Sequence, residues 1–212
     1  MSDRFIETLE ARLSGVLPGV EIQVEMAPVY RRDPNMARIE GKSCKEAAVL
    51  ALLHRERGVV HVLFIERPGH LNHHAGQVAF PGGRREADEA LVHTALRETE
   101  EELGISHGAV RILGALSPLF IPPSGYCVHP FVGWCETLPE LIPEPGEVAS
   151  YFSVPLSAFA DPSVRRDVER KVRDQAFVVP SFDVEGRQIW GATAMMLAEL
   201  AAVTAGLPDL AP

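Results

Sequence analysis

Four glutamates, Glu98, Glu100, Glu101 and Glu102, crowd one short stretch of a 212-residue chain. Read as a helix turning about 100° per residue, the stretch puts Glu98, Glu101 and Glu102 on one face through i, i+3 and i+4, while Glu100 points away. Like charges at this spacing repel. They also stand at the C-terminal end of the helix, where the macrodipole is already partly negative. The arrangement therefore calls for a compensating positive charge. Three convergent carboxylates suit a hard divalent cation such as Mg2+ or Mn2+ and leave positions for water and phosphate. Arg97 is the adjacent cation that can orient them through forked hydrogen bonds. The plainer alternative for such a run is a solvated acidic face.

The element that must carry these carboxylates is an apolar-faced helix from Asp88 to Leu103, with Ala90, Leu91, Ala95, Leu96 and Leu103 on its buried side and Gly104 as its cap. Upstream, a short strand, Gln77 to Phe80, runs into Pro81-Gly82-Gly83, where the backbone can turn sharply and approach a ligand. A carbonyl in that turn can join a metal's oxygen shell. Before it, Ala47 to Leu53 and Val59 to Ile65 read as a hairpin of buried strands. Val110 to Leu119 and Val128 to Cys135 read as further strands. Phe177 to Phe182 with Arg187 to Trp190 reads as a hairpin about Glu185-Gly186, and Val154-Pro155 opens a short helical piece. At the N-terminus, Phe5, Ile6, Leu9, Leu13 and Val16 recur at helical spacing until Pro18-Gly19. Val20, Ile22, Val24 and Met26 alternate as in a strand, Tyr30 to Lys45 reads as a loop, and Gly191 to Ala205 as a closing helix.

Gly83, Glu89, Arg97-Glu98, Thr99, Glu100, Glu101-Glu102, Leu103, Gly104 and Ile105, at their observed spacing, resemble the 23-residue Nudix box. Thr99 stands where a bulky aliphatic residue is usual. The resemblance implies an α/β fold, an α/β/α sandwich around a mixed β-sheet, with residues 1–212 forming a single Nudix hydrolase domain carrying N-terminal and C-terminal helical extensions. It implies Glu98, Glu101, Glu102 and the Gly83 carbonyl as metal ligands for Mg2+ or Mn2+. Arg97 would be their orienting residue, and Glu89 a structural member of the box. Glu101, Arg97 and Glu98 are the expected catalytic set. Glu144 and Glu147, from a later loop, are alternative general bases.

A second set, Arg67, Leu71, His74, Gly76-Gln77-Val78 and Phe80-Pro81-Gly82-Gly83, is similar to the motif just upstream of the box in coenzyme A diphosphatases. Ser124-Gly125, Val128, Pro130-Phe131-Val132-Gly133, Glu147-Val148, Val154-Pro155-Leu156 and Ile189-Trp190-Gly191 with Thr193 extend the similarity. Pro68 and Asn72 replace the usual serine and arginine. The resemblance implies hydrolysis of CoA, or an acyl or oxidised form, to adenosine 3′,5′-bisphosphate and a 4′-phosphopantetheine product. Arg67, His74, Gln77 and Ser124 are the expected substrate-binding residues. His73-His74 is not read as a zinc pair, since adjacent imidazoles diverge. Arg31, Arg32, Arg38, Lys42, Arg84 and Arg85 are further candidates for gripping phosphate. Phe120, Tyr126 and Trp134 are candidates for pantetheine or adenine. The rival readings are a Nudix hydrolase for ADP-ribose or another nucleoside diphosphate derivative, and a non-catalytic nucleotide-sensing module.

Composition narrows the partners. Asp and Glu outnumber Lys and Arg by 29 to 20, a net charge of −9, which argues against a nucleic-acid backbone as partner. Cys44, Cys127 and Cys135 are odd in number and show no paired spacing, so neither a disulfide framework nor zinc is expected and a reducing cytoplasm fits. No apolar run reaches the roughly 18 residues of a spanning helix, so no membrane partner is expected.

Overall fold

A computed structural model describes residues 2–69, 75–172 and 175–207. In chain order its elements are α1 (Ser2–Leu13), α2 (Val20–Gln23), α3 (Pro34–Ala37), β1 (Lys45–Glu56), β2 (Val59–Glu66), β3 (Val78–Ala79), β4 (Gly82–Arg84), α4 (Leu91–Leu103), β5 (Arg111–Ala115), β6 (Leu119–Ile121), β7 (Tyr126–Cys135), β8 (Ser150–Pro155), β9 (Arg165–Val172), β10 (Gln175–Val184), β11 (Arg187–Trp190) and α5 (Gly191–Thr204).

The expected hairpin forms: β1 and β2 pair antiparallel around Arg57-Gly58. β1 also runs parallel to β7 from Lys45 to His54, and β4 pairs with its first half. The central sheet is therefore mixed, in the order β3-β2-β1-β7-β5, with β4, β6 and β8 on its sides. β1 is apolar nearly throughout because both its faces are covered. Ala48, Leu50 and Leu52 of β1 pack with Leu63 and Ile65 of β2 against Ala95, Leu96 and Leu103 of α4. The alternate residues Ala51, Leu53, Val62 and Phe64 pack against Phe5 and Leu9 of α1 and Leu197 and Leu200 of α5. The result is the α/β/α sandwich foreseen. The second hairpin, β10 and β11, joins β9 in a separate three-stranded sheet.

Several expectations are corrected. Residues 20–26 are helical, as α2 and a 3-10 turn over Val24–Met26, rather than a strand. Gln23 explains why: it is fully buried, and its Nε2 donates to the Ser117 carbonyl at 2.8 Å and to Glu199 at 2.7 Å. Glu199, on α5, also accepts from the Gly19 amide and from the Ser117 amide and hydroxyl. These bonds tie three segments together, and only the helical turn carries Gln23 inward. Gln23→Ala is expected to cost about 1–2 kcal/mol in chemical denaturation, since it leaves buried acceptors unpaired. An unchanged unfolding midpoint would contradict this account.

α1 stops at Leu13, leaving Val16 fully exposed. β8 and the charged strand β9 were not foreseen. The cysteine expectation also fails: Cys44 and Cys127 are disulfide-bonded, with Cα atoms 5.6 Å apart, because the parallel pairing that sets Glu46 beside Cys127 brings Cys44 within reach. Cys135 is free and buried. With a bonded pair present, the cysteines no longer favour a reducing compartment. Among the described residues no helix is long and apolar enough to cross a membrane.

Candidate active site

The carboxylate helix is α4, which begins at Leu91 rather than Asp88. Residues 86–89 form a turn instead, because the Glu89 carboxylate accepts from the Glu86 amide at 3.0 Å and from the Thr94 hydroxyl at 2.9 Å. Gly104 closes the helix in the left-handed conformation (φ 73°), its amide bonding to the Glu100 carbonyl. Thr99, the departure from the usual box, is fully buried and satisfies its hydroxyl on the Ala95 carbonyl at 2.7 Å. That bond removes the cost of a polar atom at an apolar position.

Arg97 organises the carboxylates. Its Nη1 donates to Glu98 Oε1 and Glu101 Oε2, both at 3.0 Å, and its Nη2 donates to Glu89 Oε1 at 2.9 Å and to the Arg84 carbonyl at 3.1 Å. Hydrogen bonds from Arg97 hold the Glu89 carboxyl down at about 2, and the same contacts raise the Arg97 pKa. One guanidinium thus fixes the turn, the helix and the strand β4 relative to one another.

Carboxylate oxygens of Glu98, Glu102 and Glu147 lie within 4.8 Å of one another. Glu98 and Glu102 come from successive turns of α4, and Glu147 from the loop before β8. That loop is held to the end of α4 by its own backbone: the Ile142 amide donates to the Leu103 carbonyl at 2.9 Å and the Glu144 amide to the Glu102 carbonyl at 3.0 Å. Glu147 thereby moves from candidate base into the cluster. Glu101 instead faces outward, its side chain 57% exposed and paired with Arg97. The Glu144 side chain belongs to an exposed residue of the loop.

The cluster is electrostatically incomplete by itself. Burial pushes the Glu98 carboxyl up against the opposing pull of Arg97. Burial likewise pushes Glu102 up to about 8, although the Gly82 amide and Arg67 oppose it. Glu102 Oε2 accepts from the Gly82 amide at 2.9 Å. Its Oε1 is buried without a hydrogen bond, with Arg67 Nη1 at 3.7 Å. An orphaned carboxylate oxygen facing two more carboxylates fits an all-oxygen site for a hard divalent cation.

The two glycines are sterically required. A Cβ on Gly82, whose φ is 148°, would meet the Ala48 carbonyl oxygen at 2.4 Å, and one on Gly83 would meet Glu98 Oε2 at 2.2 Å. Gly83→Ala is expected to displace the Glu98 carboxylate and weaken Mn2+ binding about 10–100-fold by calorimetric titration, with the fold retained. Unaltered Mn2+ affinity would refute the assigned contact.

Of the remaining expected residues, Arg67 directly follows β2, beside Glu102, and its amide donates to the Gln77 carbonyl at 3.0 Å. Ser124 lies in the β6–β7 turn, bonded to the Ile121 carbonyl, three strands from β4. Leu71, Asn72, His73 and His74 lie outside the described residues. Arg38 pairs with Glu21 and Arg85 with Glu46, so both cations are already engaged. Trp134 is a core residue packed on Phe5, whereas Phe120 and Tyr126 lie under Lys42 and Lys45. Met195 and Met196 are buried, in keeping with a packing role. The Gly82 amide is the site group that residue types alone did not reveal.

This box geometry on a mixed-sheet sandwich is that of a class of hydrolases of phosphoric anhydride bonds, which generally use divalent metal ions. The chain belongs to the Nudix family: the NUDIX domain model matches residues 45–175. It is 36% identical over 169 residues to the Nudix hydrolase NudL of Photorhabdus laumondii, covering 79% of this chain and 89% of that protein. It is 31% identical to the mitochondrial Nudix hydrolase 15 of Arabidopsis thaliana, covering 94% of this chain and 70% of that one. Among solved structures, the Nudix hydrolase RenU of M. smegmatis matches with a TM-score of 0.53 at 19% identity, covering 79% of this chain and 90% of the other. The last likeness concerns the fold.

Proposed function

We propose that the protein is a coenzyme A diphosphatase, hydrolysing CoA or a CoA derivative to adenosine 3′,5′-bisphosphate and a 4′-phosphopantetheine product, with residues 1–212 acting as one Nudix domain extended by helices at both ends. The observation that carries the reading is Arg67. It belongs to the upstream motif similar to CoA diphosphatases, and its guanidinium lies 3.7 Å from Glu102 Oε1 with a buried, unpaired Nε. A donor fork at that point can take a phosphate oxygen of the substrate.

In this reading Glu98, Glu102 and Glu147 hold Mg2+ or Mn2+, with the Gly83 carbonyl as a further ligand. The bound cation supplies charge that neutralises the diphosphate and lowers the pKa of a water. Arg97 keeps Glu98 and Glu101 in place, and Glu101, exposed and outside the tight cluster, accepts the proton of the attacking water at its carboxylate. Glu144 serves the site through its backbone amide, which anchors the loop that brings Glu147 in. Gln77 and His74 complete the substrate-binding side, and Ser124 contacts the far end of an extended substrate.

Product identification tests the proposal. With Mg2+ or Mn2+ and a panel of CoA, acyl-CoA, ADP-ribose and nucleoside diphosphate sugars, the expected result is selective release of adenosine 3′,5′-bisphosphate. Selective release of AMP from ADP-ribose would overturn it.

A further inference from the structure

Arg85 opens the turn between β4 and α4, a stretch that packing does not shape. Glu86, Ala87 and Asp88 are exposed, and Ala87 has φ 41°, a left-handed backbone that residues with a Cβ adopt only at a cost. Polar bonds must therefore set the path of the chain here. The far end of the turn is Glu89, whose carboxylate grips Arg97 at 2.9 Å, so the shape of the turn decides where Arg97 stands.

Arg85 makes three bonds that set it. Its amide donates to the Glu46 carbonyl at 3.0 Å, which extends the pairing of β4 with β1 by one residue. Its Nε donates to the Glu89 carbonyl at 2.7 Å, and its Nη1 to the Glu46 carboxylate. One guanidinium thus closes the turn and anchors it to β1. Glu46 alternates with Ala48, Leu50 and Leu52 on the face of β1 that α4 covers, so the anchor lies on the same side of the sheet as the metal-site carboxylates. Its neighbour in register, Cys127, is bonded to Cys44, which closes the end of the β1–β7 pair beside it. His129 also faces Glu46, with Nε2 3.8 Å from Oε1. Burial lowers the His129 pKa, so at neutral pH the imidazole is uncharged and Arg85 is the cation opposite Glu46.

These bonds lead to the metal site in a line. Glu46 holds Arg85, Arg85 holds the Glu89 carbonyl, the Glu89 carboxylate holds Arg97, and Arg97 donates to Glu98 Oε1 at 3.0 Å. Arg97 also bonds the carbonyl of Arg84, the residue next to Arg85. The two points outside α4 that Arg97 grips, Arg84 and Glu89, therefore stand at the two ends of the turn that Arg85 closes.

We propose that Arg85 and Glu46 are positioning residues for the metal site, acting through Glu89 and Arg97 to hold Glu98 at the cation while touching neither metal nor substrate. The inference rests on the metal reading above and is independent of which diphosphate is cleaved. Ion pairs as exposed as this one, with side chains 30% and 38% accessible, add little to global stability, so the effect on the site can be read apart from folding. Calorimetric titration with Mn2+, and kinetics at saturating Mn2+ on whichever panel substrate the native enzyme cleaves, compare the native protein with Arg85→Met and Glu46→Gln below their unfolding range. Arg85→Met is expected to weaken Mn2+ binding about tenfold, the lower end of what hydrogen-bond partners behind a metal's ligands contribute, and to lower kcat with KM unchanged. Glu46→Gln, which leaves every backbone bond of the turn in place, is expected to act in the same direction by less. Combined with Arg85→Met it is expected to cost nothing further, because both residues act along one path. A lowered Tm with native Mn2+ affinity and native kcat in both single variants would make the pair structural only and overturn the inference. A raised KM with native Mn2+ affinity would put Arg85 on a substrate phosphate and overturn it as well, as would additive losses in the double variant. Native protein that binds no Mn2+ would overturn the metal reading and the inference together.

Discussion

Glu102→Gln is expected to lower turnover by roughly a thousandfold, the scale on which a lost charge-stabilising group acts at a reacting centre. The substitution keeps the size of the side chain and preserves an oxygen for the Gly82 amide, which now bonds to the carboxylate at 2.9 Å. It removes the negative charge that faces Glu98 and Glu147. The loss should therefore appear in metal affinity as well as in kcat. Glu101→Gln is the informative contrast: its carboxylate is exposed and held by Arg97, so its replacement is expected to depress kcat about a hundredfold or more with Mn2+ affinity retained. If Glu101→Gln instead abolished Mn2+ binding while Glu102→Gln spared it, the division of labour between the two residues would be reversed.

Metal removal should make stability fall as pH rises. The folded-state pKa of Glu102 is about 8, against 4.5 for the free side chain, and burial is the main cause. A carboxyl whose folded pKa is raised contributes stability that is complete below its unfolded pKa and is lost as pH climbs through the folded value. His54 acts in the opposite sense: burial holds it at about 4 instead of 6.5, so its contribution is present above 6.5 and lost toward 4. Above pH 6.5 the Glu102 effect dominates, and Glu98, raised by the same burial, acts in the same direction. Between pH 6.5 and 8.5 in chelator, the protein should lose on the order of 2 kcal/mol, a fall in Tm of about 4–8 °C. Saturating Mg2+ or Mn2+ should raise Tm and flatten the slope, because the ionised carboxylates then have their counter-charge. Glu102→Gln should shrink the slope without metal, leaving the smaller part that belongs to Glu98. A Tm that rises over this interval in chelator would contradict the proposed environment of Glu102.

What was legible in the sequence was what is local. Glu98 and Glu102 are tied by helical spacing alone, and the Arg97 bonds to Glu98 and Glu101 follow from the same spacing, whereas Glu101, expected beside them as a metal ligand, turns outward from the cluster. The buried runs of β1 and β2 announced the central hairpin because both faces of β1 are covered. What escaped depends on distant partners. Glu147 joins Glu98 and Glu102 only because amides 142 and 144 bond the carbonyls at the end of α4. Alternation of Val20, Ile22, Val24 and Met26 mimics a strand, and the helix wins through Gln23, whose partners Ser117 and Glu199 lie 94 and 176 residues away. β9, rich in arginine and acidic residues, carries no apolar period to read, and it is defined by its pairing with β10. The Cys44–Cys127 bond spans 83 residues and follows from the parallel β1–β7 register, which spacing does not encode.

The most direct measurement is anomalous scattering at the manganese edge from crystals soaked in MnCl2. Peaks are expected among the carboxylates of Glu98, Glu102 and Glu147, within bonding distance of the Glu102 oxygen that has no hydrogen bond of its own. Crystals with no manganese between those carboxylates, grown from protein that hydrolyses its substrate with Mn2+ in solution, would contradict the account.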